Sequence, residues 1–240
     1  MESKYCSSYT VLPSACDFSS QLGVANAFAV FMDAATAHAQ TLRVGAKDMM
    51  ERGLFWLTVK TRIRFHRRPA LMEQVTVETW PEPAGKVRCL RNYTIRSGEE
   101  LLIEGKTEWA VMNLESGRLM PATDIYPKEL VHLEETVCDG PFARIREDFS
   151  DGVQLGEYRV CATDIDLGGH MNNAAYVRAV MSMFTTAQLC EIEIREMEAH
   201  FRASCYEGEV LKICARFPEE GMEIGMLRED GKAALLVLIR

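Results

Sequence analysis

The feature that most constrains this chain is that its second half repeats its first. The run FHRRPALMEQVTVETWPE, from Phe65 to Glu82, can be laid on FRASCYEGEVLKICARFPE, from Phe201 to Glu219, with one residue of slippage. A chain of 240 residues that repeats at half its length builds one supersecondary unit twice, and each copy must bury its own apolar face. At roughly 120 residues, either half can form a core without staples.

The content of the repeated unit follows from hydrophobic periodicity. Between Gly23 and Leu42, residues Val24, Ala27, Phe28, Phe31, Ala35 and Leu42 recur mostly at three and four residue steps, which predicts a helix buried on one face. LFWLTVKTRIRF follows, alternating from Leu57 to Phe65, and then VTVETW, CLRNYTI and WAVMN, all with strand patterning. The order then recurs. Asn173 to about Leu189, with Ala174, Val177, Val180, Met181, Phe184 and Leu189 as the inward stripe, predicts a second long helix. Strands are expected at MEAHF, EVLKICARF, EIGMLR and AALLVLI, with a hairpin turn at Asp230-Gly231 whose counterpart is Ser97-Gly98.

A long helix followed by an antiparallel meander buries both apolar surfaces when the helix lies against a curled sheet, which is the hot-dog arrangement. The expected fold class is therefore α+β, a double hot-dog, with two tandem units each having a long central helix wrapped by a curved antiparallel sheet. The expected boundaries are an N-terminal unit at 1–130, a linker at 131–154 and a C-terminal unit at 155–240. The connection is read from Pro127, Pro141, mixed charge and weak periodicity, with room for a short helix around Tyr126 to Glu134.

Composition removes several classes of function. The apolar and charged fractions, 48% and 26%, are those of an ordinary globular chain, and a formal net charge of −8 argues against non-specific nucleic-acid binding. Eight cysteines are scattered without a C-x-x-C pair, and the first residues lack both a secretory signal and transit-peptide character, so a reducing cytoplasm is expected. The longest apolar tracts are either interrupted by Asp33 or too short, so no membrane span is expected. A G-x-S-x-G elbow, a P-loop and a G-x-G-x-x-G turn are absent. His38, His66, His132 and His200 lack ligand spacing, so neither a metal nor a cofactor is expected.

The densest polar segment beside an apolar helix is TDIDLGGHMNNAAY, from Thr163 to Tyr176. Gly168 and Gly169 relax the backbone ahead of a helix start whose first amides lack internal partners. Such a start can hold a carbonyl oxygen as negative charge develops there. Asp166 could attack a thioester carbonyl or activate water, His170 could orient or shuttle a proton, and Gly168, Asn172 and Asn173 would orient the carbonyl. Helix capping alone also selects Asx and Gly at such positions, which leaves Asn172 or Asn173 open as a plain N-cap.

The spacing D-x-D-x-x-x-H-x-N-N-x-x-Y, given by Asp164, Asp166, His170, Asn172, Asn173 and Tyr176, resembles that of the acyl-ACP thioesterases. FWLTVKTRIRF, VTVETWP and TEWAVMN extend the resemblance over about residues 5 to 240. It implies two tandem hot-dog units, the second catalytic, with Asp166 as the catalytic carboxylate and His170 as the catalytic histidine. It also implies hydrolysis of fatty acyl groups from acyl carrier protein. Two positions depart from the family pattern: Gly168 replaces the asparagine of its D-x-N-x-H core, and Ser204, before Cys205, stands where a glutamate is common. Glu198 or Glu207 would supply that carboxylate under a shifted register, although an exposed strand or turn position is the favoured reading of both.

Cys205 is a possible secondary site residue, weighed against a small buried filler. The basic run Arg62, Arg64, Arg67 and Arg68 could dock the acidic acyl carrier protein, weighed against a solvated strand face. Two other functions stay open: a hot-dog hydratase or dehydratase, and a non-catalytic acyl-thioester-binding protein. A tandem repeat supplies within one chain the pairing that single hot-dog units reach by dimerisation, so a monomer or a homodimer is expected.

Overall fold

The structure, a computed structural model, describes residues 3–123 and 125–240. The chain divides into two compact units, Met1–Gly140 and Pro141–Arg240. No helix among the described residues is long and apolar enough to cross a membrane.

Unit 1 contains β1 (Tyr5–Thr10), α1 (Val24–Thr41), α2 (Ala46–Glu51), β2 (Leu54–Phe65), β3 (Gln74–Pro81), β4 (Arg88–Ser97), β5 (Glu100–Asn113) and the short β6 (Leu119–Met120). Its strands pair antiparallel in the order β1-β3-β4-β5-β2, with β6 on β5. The helix forms where periodicity predicts it and buries Val24, Ala27, Phe28, Phe31, Ala34, Ala35 and His38. Phe31 stacks on Tyr93 of β4, ring centres 4.7 Å apart. It also lies so close to β5 that a β-carbon at Gly105 would sit 2.3 Å from its ring, so helix and sheet can meet there only over a glycine.

Unit 2 contains β7 (Val153–Arg159), α3 (Asn173–Met181), α4 (Thr186–Glu191), β8 (Glu196–Phe201), β9 (Val210–Arg216), β10 (Met222–Leu227) and β11 (Ala233–Ile239). Its antiparallel order is β7-β9-β10-β11-β8. Strand for strand this is the path of unit 1, and each helix enters between the first and second strands of its unit. The internal repeat now has a structural meaning: both matched segments run from the end of one strand, β2 or β8, through a turn into the next, β3 or β9.

Three expectations need correction. The second helix does not run to Leu189. It stops at Met181, where Ser182 Oγ donates back to the Ala179 carbonyl at 2.7 Å, and α4 restarts on a capping box in which Thr185 and Gln188 serve each other. Side chains that offer the backbone an alternative partner here defeat the hydrophobic periodicity. No helix forms around Tyr126 to Glu134. A single turn, Leu130 N–H to the Pro127 carbonyl at 3.1 Å, is held in place because Tyr126 and Leu130 insert among Leu42, Met49, Cys89 and Val111. The fifth strand begins at Glu100 rather than near Trp109, because the polar run Glu104, Lys106 and Thr107 is buried within the sheet.

The segment expected as a linker is fastened at both ends. Glu135 and Cys138 offer carbonyls to Trp80 Nε1 and Arg62, at 2.7 and 3.2 Å, and the Val137 N–H reaches Asn92 Oδ1 at 3.1 Å, all within unit 1. In unit 2 the Ala143 N–H donates to Glu198 at 2.7 Å, and Phe149 lies 4.5 Å beneath the Arg216 guanidinium.

Candidate active site

The chemistry-bearing segment of unit 2 is a closed turn built on one buried carboxylate. Asp164, 2% exposed, accepts from the Cys161 N–H at 2.9 Å, from the Tyr158 hydroxyl at 2.8 Å and from Arg178 Nη2 at 3.0 Å. Burial alone would raise its pKa, but these three donors outweigh it and hold the carboxyl below the usual range. Tyr158 and Arg178 were not anticipated from sequence. The available signal was Arg178 as the one basic residue on an otherwise buried face of α3.

From this anchor the chain leaves and returns as a hairpin. The Asn172 N–H reaches the Asp164 carbonyl at 2.8 Å, Ile165 bridges Met171, and the Asp166 N–H reaches the His170 carbonyl at 3.0 Å. The Gly169 N–H closes onto the Asp166 carbonyl at 2.9 Å with φ at +76°, a conformation that favours glycine. Inside this turn Asp166 Oδ1 accepts the Gly168 N–H at 2.8 Å, and His170 Nδ1 lies 3.9 Å from the same oxygen. That separation is an ion-pair distance rather than a hydrogen bond. The two side chains are 28% and 24% exposed, so both are open to a reactant.

The start of α3 follows at once. Asn172 is its N-cap, with Oδ1 accepting the Ala174 N–H at 2.9 Å, and Asn173 is the first helical residue. The side chain of Asn172 is thus committed to the cap. No acidic residue occupies the first turn, so its field is uncompensated from within the helix. The 203–205 segment is drawn against the same place: the Met171 N–H donates to the Cys205 carbonyl at 2.8 Å, and the Tyr176 hydroxyl to the Ala203 carbonyl at 3.1 Å.

The structure therefore gathers Asp166, Gly168, His170, Asn172 and Asn173 in one turn and helix start, with Ser204 and Cys205 on the adjoining segment. Cys205 is fully buried, and burial pushes its thiol up, away from the reactive thiolate. Ser204 is half-buried. Glu198, expected at an exposed position, is instead fully buried on β8, with Oε1 2.6 Å from His200 Nε2 and occupied by the Ala143 N–H. Glu207 is exposed.

The basic run is not the free patch that its sequence suggests. Arg62 is buried with its guanidinium against the carbonyls of Cys138, Asp139 and Gly140. Arg64 holds Glu104 at 2.7 Å, Arg67 holds Glu73 and Glu100, each at 2.9 Å, and Arg68 holds Asp17.

Two units on one strand path, each with a helix laid against an antiparallel sheet, define a double hot-dog protein. Family models for the acyl-ACP thioesterase N-terminal and C-terminal domains match residues 2–130 and 150–233, and the chain belongs to this family. It is similar in structure to an acyl-ACP thioesterase from Bacteroides thetaiotaomicron, with a TM-score of 0.88 and 18% identity over 99% of this chain and 97% of the other. The 12:0-ACP thioesterase from Umbellularia californica gives a TM-score of 0.82 and 16% identity over 100% and 97% of the two chains. In sequence the chain is 25% identical over 170 residues to the chloroplastic oleoyl-acyl carrier protein thioesterase of Coriandrum sativum, covering 66% of this chain and 46% of that protein. The chain spans about half the length of the curated relatives it matches.

Proposed function

We propose that this chain hydrolyses fatty acyl thioesters of acyl carrier protein, with Asp166 and His170 performing the chemistry. The observation that carries this is the closed turn itself. It sets a carboxylate and an imidazole 3.9 Å apart, both partly open, at the start of a capped helix. The Gly168 N–H occupies one lone pair of Asp166 Oδ1 and fixes the carboxylate, which leaves Oδ2 for the proton of a water or for the carbonyl carbon. The carboxylate takes the proton of the attacking water, the helix start stabilises the oxyanion, the imidazole protonates the leaving thiolate, and the proton held on Asp166 passes to the imidazole so that both groups are restored.

Thiol release from purified acyl-ACP tests this. Asp166→Asn keeps the turn's shape and is expected to lower kcat by about 10²–10⁴-fold, the usual contribution of a positioned base, and His170→Ala should also lose most activity. Equal thiol release by wild type and Asp166→Asn would end the proposal. Gly168 and Ser204, standing where the family has asparagine and glutamate, favour a second reading: a protein that binds acyl-ACP without turnover. Saturable acyl-ACP binding with no thiol released would establish it.

Docking of the acidic carrier protein belongs to the same reading. Arg64 and Arg67 have the most open side chains of the basic run, at 38% and 40% exposure, and both already hold carboxylates. Docking would thus exchange one anionic partner for another. Arg67→Glu is expected to raise KM for acyl-ACP about tenfold, with KM for acyl-coenzyme A unchanged, and an equal change for both carriers would remove Arg67 from the interface. A reducing compartment such as the cytoplasm is supported by the eight free thiols.

A further inference from the structure

Unit 1 carries a second copy of the candidate turn. The Asp17 N–H reaches the Gln21 carbonyl at 2.9 Å, the Ser20 N–H closes onto the Asp17 carbonyl at 3.0 Å, and the Gly23 N–H reaches the Ala15 carbonyl at 2.9 Å. Cys16 bridges Leu22 as Ile165 bridges Met171. Ser20 takes a φ of +58° where Gly169 has +76°, and the Ser19 N–H donates to Asp17 Oδ1 at 2.9 Å as the Gly168 N–H does to Asp166 Oδ1 at 2.8 Å. Position by position, Asp17 stands for Asp166, Ser19 for Gly168 and Gln21 for His170. Gly23 stands for Asn172, and each is the N-cap of its helix, α1 or α3.

The segment beside each turn matches as well. The Leu22 N–H donates to the Pro69 carbonyl at 2.9 Å, as that of Met171 does to Cys205 at 2.8 Å. The His66 and Arg67 N–H groups both reach the Leu102 carbonyl, at 2.9 and 3.1 Å, and those of Arg202 and Ala203 both reach the Ala234 carbonyl, at 2.8 and 3.3 Å. Matching bonds on either side fix the register, so Arg68 and Ser204 hold the same place beside their turns.

At that place the two copies part. Arg68 sets its Nη1 on the Asp17 carboxylate, and its Nη2 donates to Ser19 Oγ at 3.2 Å. Ser19 Oγ in turn donates to Asp17 Oδ1 at 2.6 Å. Burial would raise the Asp17 pKa, but the Ser19 hydroxyl and the Arg68 guanidinium outweigh it and hold the carboxyl below the usual range. Among the described residues no lysine or arginine pairs with Asp166. Exposure does not separate the two carboxylates, whose side chains are 24% and 28% exposed. Charge does: a carboxylate held in a fixed ion pair is a poor base and a poor nucleophile, and one without a fixed cation stays available to a reactant. Gln21 adds a second loss in unit 1, because an amide does not carry a proton to and fro as an imidazole does.

We propose that the residue at this place decides which turn can react: Arg68 closes the unit 1 copy by pairing with Asp17, and the short, neutral Ser204 is a positioning residue that leaves Asp166 open in unit 2. The catalytic half of this inference rests on the thioesterase reading, and the pairing half stands without it.

Ser204→Arg carries the unit 1 pairing into unit 2. In the full chain it should lower kcat for acyl-ACP by about a hundredfold, within the usual contribution of a positioned base, while KM changes by less than about twofold. Ser204→Met, similar in length and uncharged, should keep at least about ten times the kcat of Ser204→Arg, because charge rather than bulk disables the carboxylate. Arginine side-chain NMR reads the pairing without turnover. Arg68 should give a guanidinium signal with hindered rotation that Asp17→Asn removes, and Ser204→Arg should add another that Asp166→Asn removes. If Ser204→Arg does not fold, Ser204→Lys brings the same charge on a smaller head, and its kcat against that of Ser204→Met decides. Equal kcat for the cationic variant and Ser204→Met in an active protein, or guanidinium signals indifferent to Asp17 and Asp166, would overturn the proposal. A wild type that releases no thiol while both signals appear would instead sink the thioesterase reading and uphold the pairing.

Discussion

Asp164 shows how far one residue's role exceeds what its spacing announces. In sequence it is the first aspartate of D-x-D; in space it is the post on which the Asp166–His170 turn is hung, through Tyr158, Cys161 and Arg178. Its folded pKa lies below the unfolded value of about 3.9, so its stabilisation is fully present above that value and is lost as pH falls through the folded pKa. Asp164→Asn should therefore lower stability near neutrality by about 2 kcal/mol, the scale of hydrogen bonds to a charged group. It should also flatten the acid limb of a Tm-against-pH curve. A variant that keeps the wild-type acid limb would show that another carboxylate carries it. The Asp166 to His170 spacing was legible because a five-residue loop keeps its chemistry local. Two of the three partners of Asp164 were not, since Tyr158 lies on a strand and Arg178 on a helix. The basic run misled for the same reason: Arg64 and Arg67 are neutralised by Glu104 and Glu100, residues that only strand pairing brings near.

Among the elements, α1 could be read because a single apolar stripe persists through its whole length. The break after Met181 was also written in the chain, as Thr185 and Gln188 at capping-box spacing, but the apolar stripe of Phe184 and Leu189 runs across it. The contact between α1 and the sheet could not be read, because it depends on which strand residue faces Phe31. That residue is Gly105, where a methyl group would meet the Phe31 ring at 2.3 Å. Gly105→Ala should destabilise unit 1 by about 1–3 kcal/mol, as overpacked cores do. Phe31→Leu in the same chain should recover part of the loss, because neighbours that share one clash are not additive. A denaturant double-mutant cycle with strictly additive costs would contradict the contact.

For the molecule as a whole, the repeat implies two closed cores, and the cysteines report on both. Cys89 and Cys138 are buried in unit 1, Cys205 and Cys214 in unit 2, while Cys6, Cys161 and Cys190 are exposed. Burial pushes the Cys89 thiol up to about 11 and the Cys205 thiol upward as well, so access and thiolate content both slow these two. Alkylation of the native chain near pH 8, followed by peptide mapping, should label the three exposed cysteines first. Cys89 should lag by about a hundredfold or more, as a thiol about two pKa units above an ordinary one requires, and Cys205 should lag in the same direction. Denaturant should erase the difference in each unit. The position that decides most is Cys205, whose carbonyl is bonded to Met171 at the edge of the candidate turn. Labelling there as fast as at Cys161 would reveal an accessible thiolate on the segment that adjoins the candidate turn, and a cysteine nucleophile would then compete with the carboxylate for the centre of the proposed chemistry.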